Sequence, residues 1–172
     1  MIASGILATA LISLAQLFMV ALAANTSSRS TTYASVLAEQ KMEELRALTW
    51  GFDSSGLPVT DTTTDTASSE DNATGGTGLT PSPETALRAN TVGYVDHVDM
   101  FGNKVGSEAT PPASGVYTRR WSIEPLPTNP NNTIIIQVLV TRNRSRGSAD
   151  DGAVLRLPEE ARLITVKTRK AQ

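Results

Sequence analysis

The chain has 172 residues, room for one modest domain plus an anchor, and 40% of them are hydrophobic. The formal net charge of -2 gives no global attraction to nucleic acid or to an anionic membrane surface. No cysteine is present, which excludes disulfides, thiolate chemistry and Cys-based metal sites but leaves an extracytoplasmic location open.

Residues 1–24 carry no charged side chain and are mostly apolar. A helix of about 20 such residues, rising ~1.5 Å each, matches a ~30 Å hydrocarbon core. Three readings compete for this segment. A retained membrane helix fits its length and its apolar surround. A cleaved signal peptide would find a small-x-small site at Ala21-Leu22-Ala23, but no Lys or Arg precedes the apolar run. A buried core helix would need far more surrounding protein than this chain supplies. Gly5, Thr9 and Ser13 recur at steps of four and form one stripe of small residues, of the kind that lets helices approach closely. Leu11, Leu14, Leu17 and Phe18 belong to a bulkier face, with Leu7 and Leu22.

Residues 25–32 are polar, and Ser and Thr there compete for backbone hydrogen bonds, so any bend is expected in this stretch. Helical spacing then resumes. Ala34, Leu37, Ala38, Met42, Leu45 and Leu48 share one face, with Glu39, Glu43 and Arg46 mostly opposite. The spacing predicts a nearly unbroken helix to about Leu48, with Gly51 after Trp50 as its stop. This first division of the chain is residues 1–50, membrane or filament core to 24 and amphipathic beyond.

Residues 51–90 are a composition break. Thr60-Asp61-Thr62-Thr63-Thr64-Asp65-Thr66 and Thr74-Gly75-Gly76-Thr77-Gly78 are low in complexity, and residues 53–84 hold acids but no Lys or Arg. This predicts a long acidic surface loop, mobile and dispensable for folding. Residues 91–172 read as a β head domain. Residues 92–100 suggest an edge strand, with Gly102-Asn103 as a turn into a short partner at 104–106. In residues 116–124, Tyr117, Trp121 and Ile123 alternate with Thr118, Arg120, Ser122 and Glu124, as in a half-buried strand. Residues 134–140 are apolar on nearly both faces and suit the central strand. Residues 142–160 form a second loop, and residues 163–168 close the set with Ile164 and Val166 on one face. The fold class is therefore α+β: a long N-terminal helix packed on a roughly four-stranded antiparallel sheet, with Leu37, Met42, Leu45 and Leu48 as the helix-on-sheet contacts.

Candidate chemistry is sparse. His97 is the only histidine, and the strand pattern sets Asp96 on the face opposite His97 and Asp99, so no metal site converges; a surface strand histidine is expected. Gly75-Gly76-Thr77-Gly78 lacks the Lys and the flanking strand and helix of a phosphate loop. Arg142, Arg144 and Arg146 form a loop cluster with Asp150 and Asp151 close behind, which argues for solvation rather than nucleic-acid contact. No catalytic residue, metal or cofactor is expected, and the chain is not read as an enzyme.

The order of apolar helix, amphipathic extension, variable loop and antiparallel sheet resembles the type IV pilin and pseudopilin superfamily. Ile2-Ala3-Ser4-Gly5-Ile6-Leu7-Ala8-Thr9-Ala10-Leu11 looks like the stretch after the processing motif of minor pilins. Glu39-Gln40-Lys41-Met42-Glu43-Glu44-Leu45-Arg46 is similar to the segment at the end of their N-terminal helix. The nearest likeness is to minor pilins described as pilus modification proteins. The resemblance implies a structural subunit of a type IV pilus or type II secretion-like filament. Such a subunit sits in the inner membrane with its head in the periplasm before assembly. Its partners would be other pilin subunits, inner-membrane pilus assembly proteins and membrane lipid. The family carries a basic leader ending in Gly, then an aromatic residue, with Glu at the fifth mature position. Here Gly5 is followed by Ile6, and the fifth residue after it is Ala10. By register Met1 falls just past that Glu, so the chain as numbered is expected to insert in a membrane but not to enter filaments. Two other readings follow from the same residues: a membrane-anchored extracytoplasmic binding domain that does not assemble, and a secreted domain behind a cleaved signal.

Overall fold

The computed structural model describes residues 2–70, 73–143 and 160–169; the side chains of residues 2–6 and 8–10 lie outside that description. A single helix, α1 (Ile2–Ala47), spans 46 residues, roughly 70 Å at ~1.5 Å per residue. The polar stretch does not interrupt it. Thr26, Thr31, Thr32 and Ser35 donate back to the carbonyls of Leu22, Ser27, Ser28 and Thr31 at 2.9–3.0 Å, so these hydroxyls bond within the helix instead of breaking it.

α1 ends at Ala47, within one residue of the expected Leu48, but Gly51 is not its stop. Trp50 and Gly51, expected as the last turn and the stop, belong to β1 (Trp50–Phe52), which forms a hairpin with β2 (Pro58–Thr60). The last helical carbonyls, which have no intrahelical partner, are capped from the far end of the chain: Lys167 Nζ donates to the carbonyls of Arg46, at 2.7 Å, and Leu48. Burial, together with nearby Arg46, holds the Lys167 ammonium below its ordinary pKa, with Asp61 partly offsetting them. Lys167→Met keeps the aliphatic stem and removes the cap. It is expected to lower stability by about 1–2 kcal/mol, read as a lower urea midpoint at unchanged slope.

The main sheet has five strands, one more than expected. They are β3 (Val95–Val98), β4 (Lys104–Gly106), β5 (Tyr117–Pro125), β6 (Thr133–Arg142) and β7 (Glu160–Thr168), in the order β4-β3-β5-β6-β7, with every ladder antiparallel. Two positions differ from the sequence reading. β3 is interior and wholly buried rather than an edge, and β5, not β6, takes the middle position. Register sets Tyr117, Arg119, Trp121 and Ile123 of β5 beside Ile134, Ile136, Val138 and Val140 of β6 on the face that α1 covers. On β7 the core-side residues are Ala161 and Leu163; Ile164 and Val166 lie on the outer face, 61% and 59% exposed.

Residues 51–90 are not a bare loop. Thr66, Ala67, Leu79 and Ala86 are buried, three of them within the main core. What holds the segment is side-chain to backbone bonding. Asp61 Oδ1 accepts from the amides of Thr63 and Thr64, Asp65 Oδ1 from Ala67 and Ser68, and Asp53 Oδ1 from Ser55 and Leu57. Gly76 fits against the backbone of Asp65 so closely that a Cβ there would stand 2.2 Å from Asp65 Cα. Arg169 clamps the β1–β2 hairpin to the sheet, stacking 3.7 Å over Trp50 while donating to the carbonyls of Gly51, Val59 and Asn131. Lys167 and Arg169 thus both have partners within the chain.

The two ends of the head differ. Leu48, Trp50, Asn132 and Arg169 meet where α1 stops, with Trp50 Nε1 donating to Asn132 O at 3.3 Å. At the other end, where α1 leaves the head, the Tyr33 ring packs on Tyr117, 5.5 Å between centroids.

Candidate functional site

Among the described residues, the N-terminal half of α1 stands free of the head. Leu11, Ile12, Leu14, Leu17, Phe18, Met19, Val20 and Leu22 are each more than half exposed. Consecutive residues are offset by ~100°, so exposure from Leu17 through Val20 means that no side of this turn meets the rest of the chain. Such an arm can enter lipid because a helix satisfies its own backbone hydrogen bonds. By length and composition α1 is able to cross a membrane. Of the residues expected to pack one helix on another, Leu11, Ser13, Leu14, Leu17 and Phe18 lie on this exposed arm. Gly5 and Thr9 are in the same helix, and their side chains lie outside the described residues.

The C-terminal half of α1 is fixed to the sheet. Leu37, Met42 and Leu45 are buried, and Leu48 is partly buried against the same core. At the centre of this apolar contact sits a charged cluster that the sequence reading missed. Lys41, Asp96 and Arg119 are all fully buried. Asp96 Oδ1 accepts from Arg119 Nε at 2.6 Å and Oδ2 from Arg119 Nη2 at 2.8 Å, a bidentate pair formed across directly opposed positions of β3 and β5. Lys41 Nζ reaches Asp96 Oδ2 at 3.1 Å and Glu44 Oε2 at 3.3 Å, donates to Thr66 O, and lies 3.9 Å from the centroid of the Trp121 ring. Lys104 Nζ closes the rim on Glu44 Oε1, 2.7 Å, and Thr66 O, 2.8 Å.

Burial alone would raise the Asp96 pKa, but the Lys41 and Arg119 charges outweigh it and hold the carboxyl below the usual carboxylate range. For Lys41 burial wins over Asp96 and Glu44, and its pKa falls below the ordinary lysine value. The cluster therefore joins helix (Lys41, Glu44), loop (Thr66) and sheet (Asp96, Lys104, Arg119) at one point. A signal for it was present. Arg119 falls on the Tyr117–Trp121 face of its strand, where a charge must be paired.

His97 is buried, not a surface residue. It faces away from Asp96, as strand alternation requires. Its Nε2 donates to Glu108 O at 2.8 Å, and its Nδ1 lies 2.9 Å from Thr118 Oγ1 under the 106–116 segment. Among the described residues no three His, Cys, Asp or Glu side chains converge as metal ligands. Arg142 ends β6, and Arg144, Arg146, Asp150 and Asp151 lie outside the described residues.

Comparison with family models, curated proteins and solved structures finds no match for this chain.

Proposed function

We propose that this chain is a structural subunit of a type IV pilus or type II secretion-like filament, in the manner of a minor pilin or pseudopilin. The observation that carries the reading is a division of labour within one helix. An unbroken α1 has an apolar N-terminal half whose described side chains stand exposed, and a C-terminal half locked into an antiparallel sheet. Exposed apolar area on this scale is stable only in lipid or against other helices. A rigid helix serves both in turn, first as an inner-membrane anchor with the head in the periplasm, then as a strut of a filament core. Other pilin subunits would be its partners along the arm, and inner-membrane assembly proteins would act at the membrane stage.

The native absence of cysteine makes the test direct. In a form extended ahead of Met1 with a basic leader, Gly, an aromatic residue and Glu, Leu14→Cys on the arm is expected to give disulfide-linked adducts with a second subunit carrying cysteine at an arm position, recovered in sheared filaments. Thr128→Cys on the exposed β5–β6 connection is expected to give none. Leu14→Cys that stays monomeric in the membrane fraction would instead favour an anchored binding domain.

A further inference from the structure

We propose that the Met100–Phe101 turn is a second membrane contact, seating the head on the lipid surface where α1 leaves the bilayer. The proposal rests on the membrane reading of α1 and assigns the bilayer interface as the occupant of a surface otherwise left bare.

The turn is apolar, exposed and held in shape. Phe101 is 75% exposed and Met100 64%. Asp99 builds the turn beneath them: Oδ1 accepts from the amides of Phe101 and Asn103 at 2.8 and 2.9 Å, and Oδ2 from Asn103 Nδ2 at 2.9 Å. Gly102, at φ +89°, lets the chain reverse. Two large apolar side chains displayed on an ordered turn lose little further entropy when they are covered.

Position selects lipid. The β3–β4 hairpin points its tip along α1 toward the arm. Lys104 bonds to Glu44, whereas Gly102, at the tip, lies against Tyr33 and Leu37; a Cβ on Gly102 would stand 3.3 Å from Tyr33 Oη. Tyr33 Cα lies roughly 14 Å beyond Ala24 along the axis, and a helical tyrosine leans toward the N-terminus, which lowers its hydroxyl by about one 5.4 Å turn. The tip therefore stands ~8 Å above the end of the apolar run, against a polar headgroup layer of roughly 5–8 Å per leaflet. A helix tilt of about 20° brings it into that layer. The neighbouring surface has matching chemistry. Ser28, Arg29, Thr32, Tyr33 and Val36 line a hollow of about 310 Å³. Arg29 is the first charged side chain in the chain, placed at phosphate level, and Tyr33 is of the type that collects at membrane interfaces.

The test uses the full chain in phosphatidylcholine vesicles with single cysteines carrying an environment-sensitive NBD label. Phe101→Cys is the probe, Met100→Cys its independent replicate, Phe18→Cys marks the arm and Thr128→Cys the far end of the head. Lipid-borne spin quenchers are expected to remove roughly half the emission at positions 101 and 100, as for a residue at the headgroup–acyl boundary, and to leave position 128 unchanged. Quenching at 18 with positions 101 and 100 behaving like 128 overturns the proposal and leaves the anchor reading intact. No quenching at 18 removes the membrane reading and the proposal with it. A blue shift at 101 that lipid quenchers do not touch, and that grows with protein-to-lipid ratio, overturns it in favour of a second subunit covering the turn.

Discussion

Replacing Asp96 with alanine is expected to be the most damaging single change in the head, costing about 3–5 kcal/mol. That is the range for removing one partner of a buried ion pair and leaving the other uncompensated. Arg119 would be left in the core without a carboxylate at contact distance, and Lys41 would keep only Glu44, at 3.3 Å. The pH dependence follows the same residue. Its native pKa lies below the ordinary 3.8, so Asp96 contributes stability that is complete above that value and is lost as pH falls through the native pKa. The Asp96→Ala protein is therefore expected to lose part of the acid limb of its stability curve as well as height at neutral pH. Urea titrations at neutral pH and near pH 3 check both. Replacing Lys41, Asp96 and Arg119 together with apolar residues of similar volume is expected to recover most of the loss, because the large cost lies in the unpaired charge. An Asp96→Ala midpoint equal to that of the parent would mean that the cluster does not hold helix to sheet.

The second large effect is expected at Leu45, which is fully buried in the core between α1 and the sheet. Leu45→Ala removes its apolar area and leaves a cavity, for about 2–4 kcal/mol. Val36→Ala on the same helix is the control. Val36 is 55% exposed, and its truncation is expected to move the urea midpoint little. Equal effects at the two positions would show that the amphipathic half of α1 is not clamped by its Leu37–Leu45 face.

What the sequence made legible follows from which force acts at each place. The helix and its buried stripe are written in apolar spacing, and Leu37, Met42 and Leu45 occupy that stripe in the structure. Spacing alone could not place Lys41 in the same interface, because a charge counts against burial until its partners on distant strands are known. Asp96 and Arg119 become neighbours only through strand register. Residues 51–90 read as structureless because apolar content is the usual sign of packing, whereas Asp61, Asp65 and Asp53 hold their surroundings through backbone amides. On β7 the apolar pair Ile164 and Val166 shares one face, as its alternation predicts, and that face is the exposed one. The side nearer α1 carries Leu163 and, two pairs along, Lys167, whose role is to cap a helix.

That cap spans 121 residues of sequence, from Lys167 back to Arg46, and it sets a timetable for the growing chain. The helix is made first and the strand that caps it last. Throughout synthesis Leu37, Met42 and Leu45 wait, uncovered, for strands that have not yet been made. Folding of the head is therefore gated by delivery of the C-terminus. Contacts of such long sequence separation close slowly, and the waiting stripe is the surface an escorting chaperone would find. A nascent chain stalled before Glu160 is one that has its whole helix and lacks its last strand.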